Sequence, residues 1–369
     1  MTTARAANPS AASSKSRRKQ PFQTVRIAAV ERICDDAAAV TFDIPASLEQ
    51  EFAFRPGQSL TLRRIVDGQE QRRSYSICAA VGEKPRVGVR EVPGGLFSGW
   101  LVRDVRVGDE VEIQTPSGTF AADPDVAARH VLIAAGSGIT PVLSIAASVL
   151  ANPGSHVTVL YGNRRSNSVM FAEELSDLKD TYGSRLELIH VLSREPRGVD
   201  MFTGRLDADR VRLLLESLVP VPAVDHFWLC GPFGMVIDAQ QVLQELGVPK
   251  ERIHRELFFV EDVAPEPVQH AEATSTGPTS DVTVLLDGRS TTLALPRDRS
   301  VLDSAQDSRD DLPFACKGGV CGTCRAKVTC GEVDMRRNYA LEKSEVDAGF
   351  VLTCQSFPIS DTVTVDYDV

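Results

Sequence analysis

Four cysteines near the end of the chain constrain its fold most: Cys316-Lys-Gly-Gly-Val-Cys321-Gly-Thr-Cys324 and then Cys354, a C-x4-C-x2-C-x29-C spacing. Three thiolates from one short loop and a fourth from a distant segment make the ligand set of a plant-type [2Fe-2S] cluster. Gly318, Gly319 and Gly322 suit such a loop, because residues without a Cβ adopt positive φ and let backbone N–H groups approach inorganic sulfur. Two other readings of these thiols exist: a zinc site, which more usually pairs C-x2-C units, and a disulfide, which a reducing cytosol disfavours. Cys330 lies outside the spacing and is left unligated.

At roughly 100 to 200 residues per domain, a chain of 369 residues holds two or three domains, and its patterns divide it into three. A formal net charge of −10 argues against nucleic acid or an anionic membrane surface as partner. No apolar run approaches the roughly 18 to 20 residues of a transmembrane helix. The most apolar stretches, 131–135 and 142–150, are interrupted by Gly136, Gly138 and Pro141. A soluble, cytoplasmic protein is expected. Residues 1–21 carry five basic side chains and no acid, with no large apolar side chain between Met1 and Phe22. They read as a disordered basic tail rather than a transit peptide, which needs an apolar helical face.

Residues 22–125 alternate in short segments punctuated by turns, which predicts an antiparallel β-barrel. Within it, Arg73-Ser-Tyr-Ser76 alternates a cation, a ring and hydroxyls along one strand, and Val89-Arg90 ends another. Gly94-Gly-Leu-Phe-Ser98 then leads into a helix, where unpaired N–H groups and the positive dipole end suit a pyrophosphate. Residues 126–262 change period. His130-Val-Leu-Ile-Ala-Ala135 is a continuous apolar strand followed by Gly136-Ser-Gly-Ile-Thr-Pro141 and a helical run, the strand-turn-helix unit of a parallel α/β sheet. Proline at the sixth position of that turn departs from the dinucleotide fingerprint G-x-G-x-x-G. A second strand ends in Gly162-Asn-Arg-Arg165; arginines at such a strand end accommodate the 2′-phosphate of NADPH, where an acid would select NADH. NADPH is therefore expected, with NADH possible. A third apolar strand ends in Cys230-Gly231-Pro232.

R-x-Y-S followed by G-x-x-S, then G-x-G-I-x-P, then C-G-P, in that order, resembles the ferredoxin-NADP reductase superfamily. The resemblance implies that Arg73 binds the FAD pyrophosphate with Gly95 and Ser98, that Tyr75 packs on the flavin, and that Ser76 hydrogen-bonds near flavin N5. It implies that Val89 and Arg90 lie beside the ribityl chain. Gly136, Gly138, Thr140, Gly231 and Cys230 would face the nicotinamide nucleotide, with Ser76 and Cys230 in catalytic positions, and Phe258 is expected to pack over the flavin. Residues 263–280, rich in Pro, Ala, Ser and Thr, read as a linker. The remainder, 281–369, has two strand candidates and a short helix ahead of the cysteine loop, the order of an α+β β-grasp ferredoxin.

The whole chain after the tail resembles reductases in which FAD, NAD(P) and C-terminal ferredoxin domains are fused in that order. The ferredoxin region, with Asn338-Tyr-Ala-Leu341 among its motifs, resembles that of reductase subunits of phenylacetyl-CoA monooxygenase (epoxidase) complexes. What this implies is a chain passing electrons from NAD(P)H through FAD and a [2Fe-2S] cluster to a separate, diiron oxygenase. Reductases of Rieske oxygenases, such as steroid ring hydroxylases, share the domain order and are the alternative.

Overall fold

The computed structural model describes residues 22–66, 68–259, 278–309 and 311–369. The expected basic tail and most of the expected linker lie outside the described residues.

Six strands, β1 (Gln23–Cys34), β2 (Ala37–Asp43), β3 (Ser59–Val66), β4 (Gln69–Ser76), β5 (Arg86–Arg90) and β6 (Glu110–Ile113), form an antiparallel sheet in the order β4-β3-β6-β1-β2-β5. A bridge between Ile77 and Val87 joins its two ends and closes the barrel. Alternation sends Val25, Ile27, Leu60, Leu62, Val87 and Val89 inward. Helix α1 (Leu96–Gly99), continued by a π-turn over Trp100–Asp104, adds Phe97 and Leu101 to the same core.

The next five strands, β7 (Arg129–Ala135), β8 (His156–Asn163), β9 (Leu186–Leu192), β10 (His226–Pro232) and β11 (Ile253–Phe259), are all parallel, in the order β11-β10-β7-β8-β9. Both faces of this sheet are covered, which is why its strands are apolar at consecutive positions. Leu132 and Ala134 pack with helices α2 (Ile139–Leu150) and α3 (Ala172–Tyr182); Val131 and Ile133 pack with α4 (Ala208–Leu218) and α5 (Phe233–Glu245). The apolar pattern predicts α3 from Met170, but Phe171 adopts a left-handed φ of 57° and the helix starts after it. That strain places the buried Phe171 ring against Gly88 of the barrel and 5.4 Å from the Arg86 guanidinium.

Barrel and parallel-sheet domain share a core, in which Ala37, Ala39 and Cys78 meet Ile139, Val142 and Phe171. Arg86 pairs with Glu174 across the boundary at 2.9 Å, and Ser144 Oγ donates to the Ala79 carbonyl at 2.7 Å. A cleft between the two is therefore held at a set width.

The C-terminal domain consists of β12 (Thr279–Leu286), β13 (Arg289–Pro296), α6 (Val301–Ala305), β14 (Arg325–Cys330), β15 (Val333–Met335), α7 (Lys343–Asp347), β16 (Phe350–Leu352), β17 (Ser356–Pro358) and β18 (Thr362–Asp366). Its main sheet runs β13-β12-β18-β14-β16 with a parallel β12–β18 pair at the centre, the β-grasp arrangement. The first strand begins at Thr279, inside the stretch expected as linker, because buried Ser280 is tied down: its hydroxyl donates to the Ser360 carbonyl at 2.7 Å. No helix among the described residues is long and apolar enough to cross a membrane.

Candidate functional site

The C-terminal ends of β7, β8 and β10 open onto a cleft of about 2960 Å³ whose other walls are β4 and β5 of the barrel and the cysteine loop of the third domain. One small ligand needs roughly 300–1,000 Å³, so this cleft has room for several groups side by side.

On the barrel wall, Arg73, Tyr75 and Ser76 of β4 and Val89 and Arg90 of β5 all line the cleft. The Tyr75 and Phe97 rings lie 6.1 Å apart, tilted at 51° to each other. Arg90 reaches across the domain boundary and donates to the Ser168 carbonyl at 2.5 Å. Gly95 caps α1 and Ser98 lies in its first turn: Ser98 Oγ accepts from the Val92 N–H at 3.1 Å, and a Cβ on Gly95 would press on that hydroxyl. The first N–H groups of α1, with no carbonyl partner inside the helix, are available to an anion there.

On the opposite wall Gly136 takes a φ of 55°, and Gly138 lies directly against β10, so that a Cβ there would overlap the Cys230 carbonyl oxygen. Gly138→Ala is accordingly expected to push the turn off β10, costing about 1–3 kcal/mol and weakening nucleotide binding about tenfold. Thermal melting and nucleotide titration check this. Thr140 donates to the Ser137 carbonyl at 3.0 Å and lines the cleft. Arg164 also lines it, joined by Arg194 and Arg205 from the segments after β9. Arg165 does not: its backbone is bound up with Ser168, at 3.1 Å from N–H to Oγ, in a turn that leaves the side chain exposed.

Cys230 is fully buried among the residues of the shared core and does not line the cleft, whereas Gly231 beside it does. Its sulfur lies 4.0 Å from Glu256 Oε2, and the same oxygen accepts a hydrogen bond from Ser76 Oγ at 3.0 Å. Glu256 thus joins the two residues expected to be catalytic, although no motif pointed to it. It lies on β11, whose residues Arg255 to Phe258 all line the cleft. Burial pushes the Glu256 carboxyl up to about 7, opposed by the Ser76 hydroxyl. Burial, with the Glu256 charge, pushes the Cys230 thiol well up, so it stays neutral.

In the third domain the Cys316 sulfur accepts from the N–H groups of Gly318 and Cys321 at 3.3 and 3.4 Å, and Gly319 and Gly322 take the positive φ expected of the loop. All eight cysteines are free thiols. The Cys316 and Cys321 side chains interact, as do those of Cys324 and Cys354, and Cys316 and Cys321 also each interact with Cys324. Among the described residues no three His, Cys, Asp or Glu side chains converge on one point. A mononuclear zinc site needs three or four ligands at one point. Four neighbouring thiols, three of them from one loop, fit the ligand set of a [2Fe-2S] cluster.

Residues 24–121 match the oxidoreductase FAD-binding domain family, 132–241 the oxidoreductase NAD-binding domain family and 284–358 the 2Fe-2S iron-sulfur cluster binding domain family. The chain is 41% identical to a subunit of 1,2-phenylacetyl-CoA epoxidase from Escherichia coli (strain K12), over 94% of this chain and 98% of that protein. It is 33% identical to the ferredoxin reductase component of 3-ketosteroid-9-alpha-monooxygenase from Rhodococcus rhodochrous, over 92% and 95%. The solved structure of phthalate dioxygenase reductase, described as a modular structure for electron transfer from pyridine nucleotides to [2Fe-2S], superposes with a TM-score of 0.61 at 25% identity, over 94% of this chain and 98% of that one. A shared barrel–sheet core, a cleft common to three domains and full-length similarity to such proteins lead to one conclusion: the chain belongs to the family of oxygenase reductases that join FAD-binding, NAD-binding and C-terminal [2Fe-2S] domains in one polypeptide.

Proposed function

We propose that this reductase takes electrons from NADPH and supplies them to a diiron oxygenase that acts on phenylacetyl-CoA. The observation that carries the electron path is that the barrel wall, the nucleotide-domain turns and the cysteine loop open onto one cleft. Bound FAD supplies the conversion of a two-electron hydride donor into a one-electron source, and the cluster accepts those electrons singly.

The protein's part is to hold, orient and exclude. Arg73 and the Gly95–Ser98 turn hold the FAD pyrophosphate, Tyr75 and Phe258 pack on the flavin, and Val89 and Arg90 flank its side chain. Gly136, Gly138, Thr140 and Gly231 leave backbone space for the nicotinamide nucleotide. Ser76 donates its hydroxyl to Glu256 Oε2, and burial raises the Glu256 carboxyl to about 7, so its charge changes near neutral pH. Cys230 acts through Glu256, as a neutral thiol that limits where the carboxyl can turn. Cys316, Cys321, Cys324 and Cys354 would hold the [2Fe-2S] cluster. Four thiolates suit a reducing cytoplasm, where we place the protein.

Arg164, Arg194 and Arg205 make the end of the cleft cationic, which favours the 2′-phosphate of NADPH over NADH. Arg164→Ala and Arg194→Ala are each expected to raise KM for NADPH about tenfold and to leave KM for NADH within about twofold, with Arg165→Ala near wild type. Steady-state kinetics with both nucleotides would show otherwise if the two donors lost affinity together.

The choice of oxygenase rests on the higher identity to the epoxidase protein than to the steroid monooxygenase component. Its test is reconstitution. The purified reductase should couple NADPH oxidation to epoxidation of phenylacetyl-CoA by the diiron component. Coupling instead to a Rieske-type steroid hydroxylase would transfer the assignment to that class.

A further inference from the structure

The [2Fe-2S] domain has a core of its own, built from residues such as Val282, Leu302, Leu352 and Val365 and containing, among the described residues, none from the other two domains. It meets them through individual side chains. The Arg72 guanidinium lies 4.4 Å from the Phe314 ring, and Phe233 and Tyr339 meet edge to face at 5.1 Å. Glu342 accepts from two cations of the nucleotide domain, Lys250 Nζ at 2.7 Å and Arg255 Nη2 at 2.5 Å.

The segment that supplies Tyr339 and Glu342 is held in shape by hydrogen bonds within its own domain. Asn338 closes a turn by donating to the Leu341 carbonyl at 3.0 Å and accepting from the Leu341 N–H at 2.8 Å. Glu342 then starts α7, its N–H donating to Glu345 Oε2 at 3.0 Å. On one side this turn is bonded to the cysteine loop, since the Tyr339 N–H donates to the Gly319 carbonyl at 3.1 Å. On the other it touches Phe233, the first residue of α5, directly after the Cys230-Gly231-Pro232 turn. Arg255 in turn is held by Gln240 of α5 at 3.1 Å.

We propose that Asn338-Tyr-Ala-Leu-Glu342 is a preformed docking turn, and that Glu342 is the positioning residue that seats the [2Fe-2S] domain on the nucleotide domain while the cluster is reduced. The inference rests on the electron path proposed above. The step it serves is transfer of one electron out of the flavin, one iron going from ferric to ferrous with no bond made or broken. Lys250 is 59% exposed, so its pairing with Glu342 is screened by salt and reversible. Reversibility matters because the cysteine loop faces the interdomain cleft when docked, and a separate oxygenase must reach it after release.

The experiment is a charge cycle on the full-length holoprotein, with cluster reduction and flavin reduction followed separately by anaerobic stopped-flow after mixing with NADPH. Lys250→Glu, on the nucleotide domain and outside the cluster fold, is expected to slow cluster reduction about tenfold at low salt while leaving flavin reduction unchanged. Glu342→Lys should do the same, and the double variant should recover at least about threefold of either loss. High salt should shrink the difference between wild type and single variants. Wild-type cluster reduction in Lys250→Glu, or no recovery in the double variant with its cluster absorption intact, overturns the proposal. Failure of wild-type protein to reduce its cluster at all would instead overturn the electron path.

Discussion

Cys321→Ser removes the iron–sulfur absorption and cuts cluster-dependent reduction of a one-electron acceptor by about 100-fold, while NADPH-dependent reduction of a flavin-level dye stays within about twofold of wild type. This is the outcome expected from two features. Cys321 is one of the four thiols of the C-x4-C-x2-C…C set, so its loss would leave the cluster short of a thiolate. The core of its domain is separate from the core that the barrel and nucleotide domain share, so damage there does not reach the flavin site. The serine variant is compared with wild type in two assays on one preparation. Loss of both activities would contradict the division into modules.

The second large effect concerns Glu256. Removing its carboxyl in Glu256→Ala frees the Ser76 hydroxyl and is expected to slow dye reduction about 30-fold, equivalent to about 2 kcal/mol for a hydrogen bond to an ionisable group. Glu256→Gln keeps a neutral partner for Ser76 and should stay within about fivefold of wild type at pH 6. The informative difference is in pH. A negative carboxylate in the cleft opposes arrival of hydride beside it, so the wild-type rate should fall as pH rises through about 7, where Glu256 loses its proton. The Gln variant should show no such fall.

Stability carries the same signature. The folded-state pKa of Glu256 is raised from the ordinary carboxylate range to about 7, so between those values the native protein binds more protons than the unfolded chain. Its contribution is therefore most favourable at acid pH and is lost as pH rises through 7, by up to about 3 kcal/mol. Glu256→Gln should gain melting temperature over wild type at pH 8 and lose that gain at pH 5. His130 and His254, both pushed down to about 4 by burial, act in the opposite sense. Comparing variant with wild type at each pH cancels them. An equal difference at both pH values would place the Glu256 proton outside this range.

The architecture was legible because each domain has its own periodicity: alternation in the barrel, consecutive apolar residues in a sheet covered on both faces, and a cysteine spacing that only a tight loop satisfies. Residues inside contiguous motifs, such as Tyr75, Ser76 and Thr140, also reach the cleft. Groups that tertiary packing assembles were harder to see. Glu256 meets Ser76 across 180 positions of sequence. Arg194 and Arg205 converge with Arg164 from separate segments, whereas adjacent Arg165 is turned out by its own tight turn. Cys230 sits behind Gly231 because the closely packed Gly138 turn draws the strand end into the core. Nothing in the sequence sets Glu342 apart from other acids; the folded chain places it between Lys250 and Arg255.

The most direct test of the electron path is an anaerobic visible titration of the purified holoprotein with NADPH. Flavin and iron–sulfur absorption should bleach together and be complete after about 1.5 equivalents, because the flavin takes two electrons and the cluster one. Bleaching of the flavin alone, complete at about one equivalent with the iron–sulfur band unchanged, would contradict it.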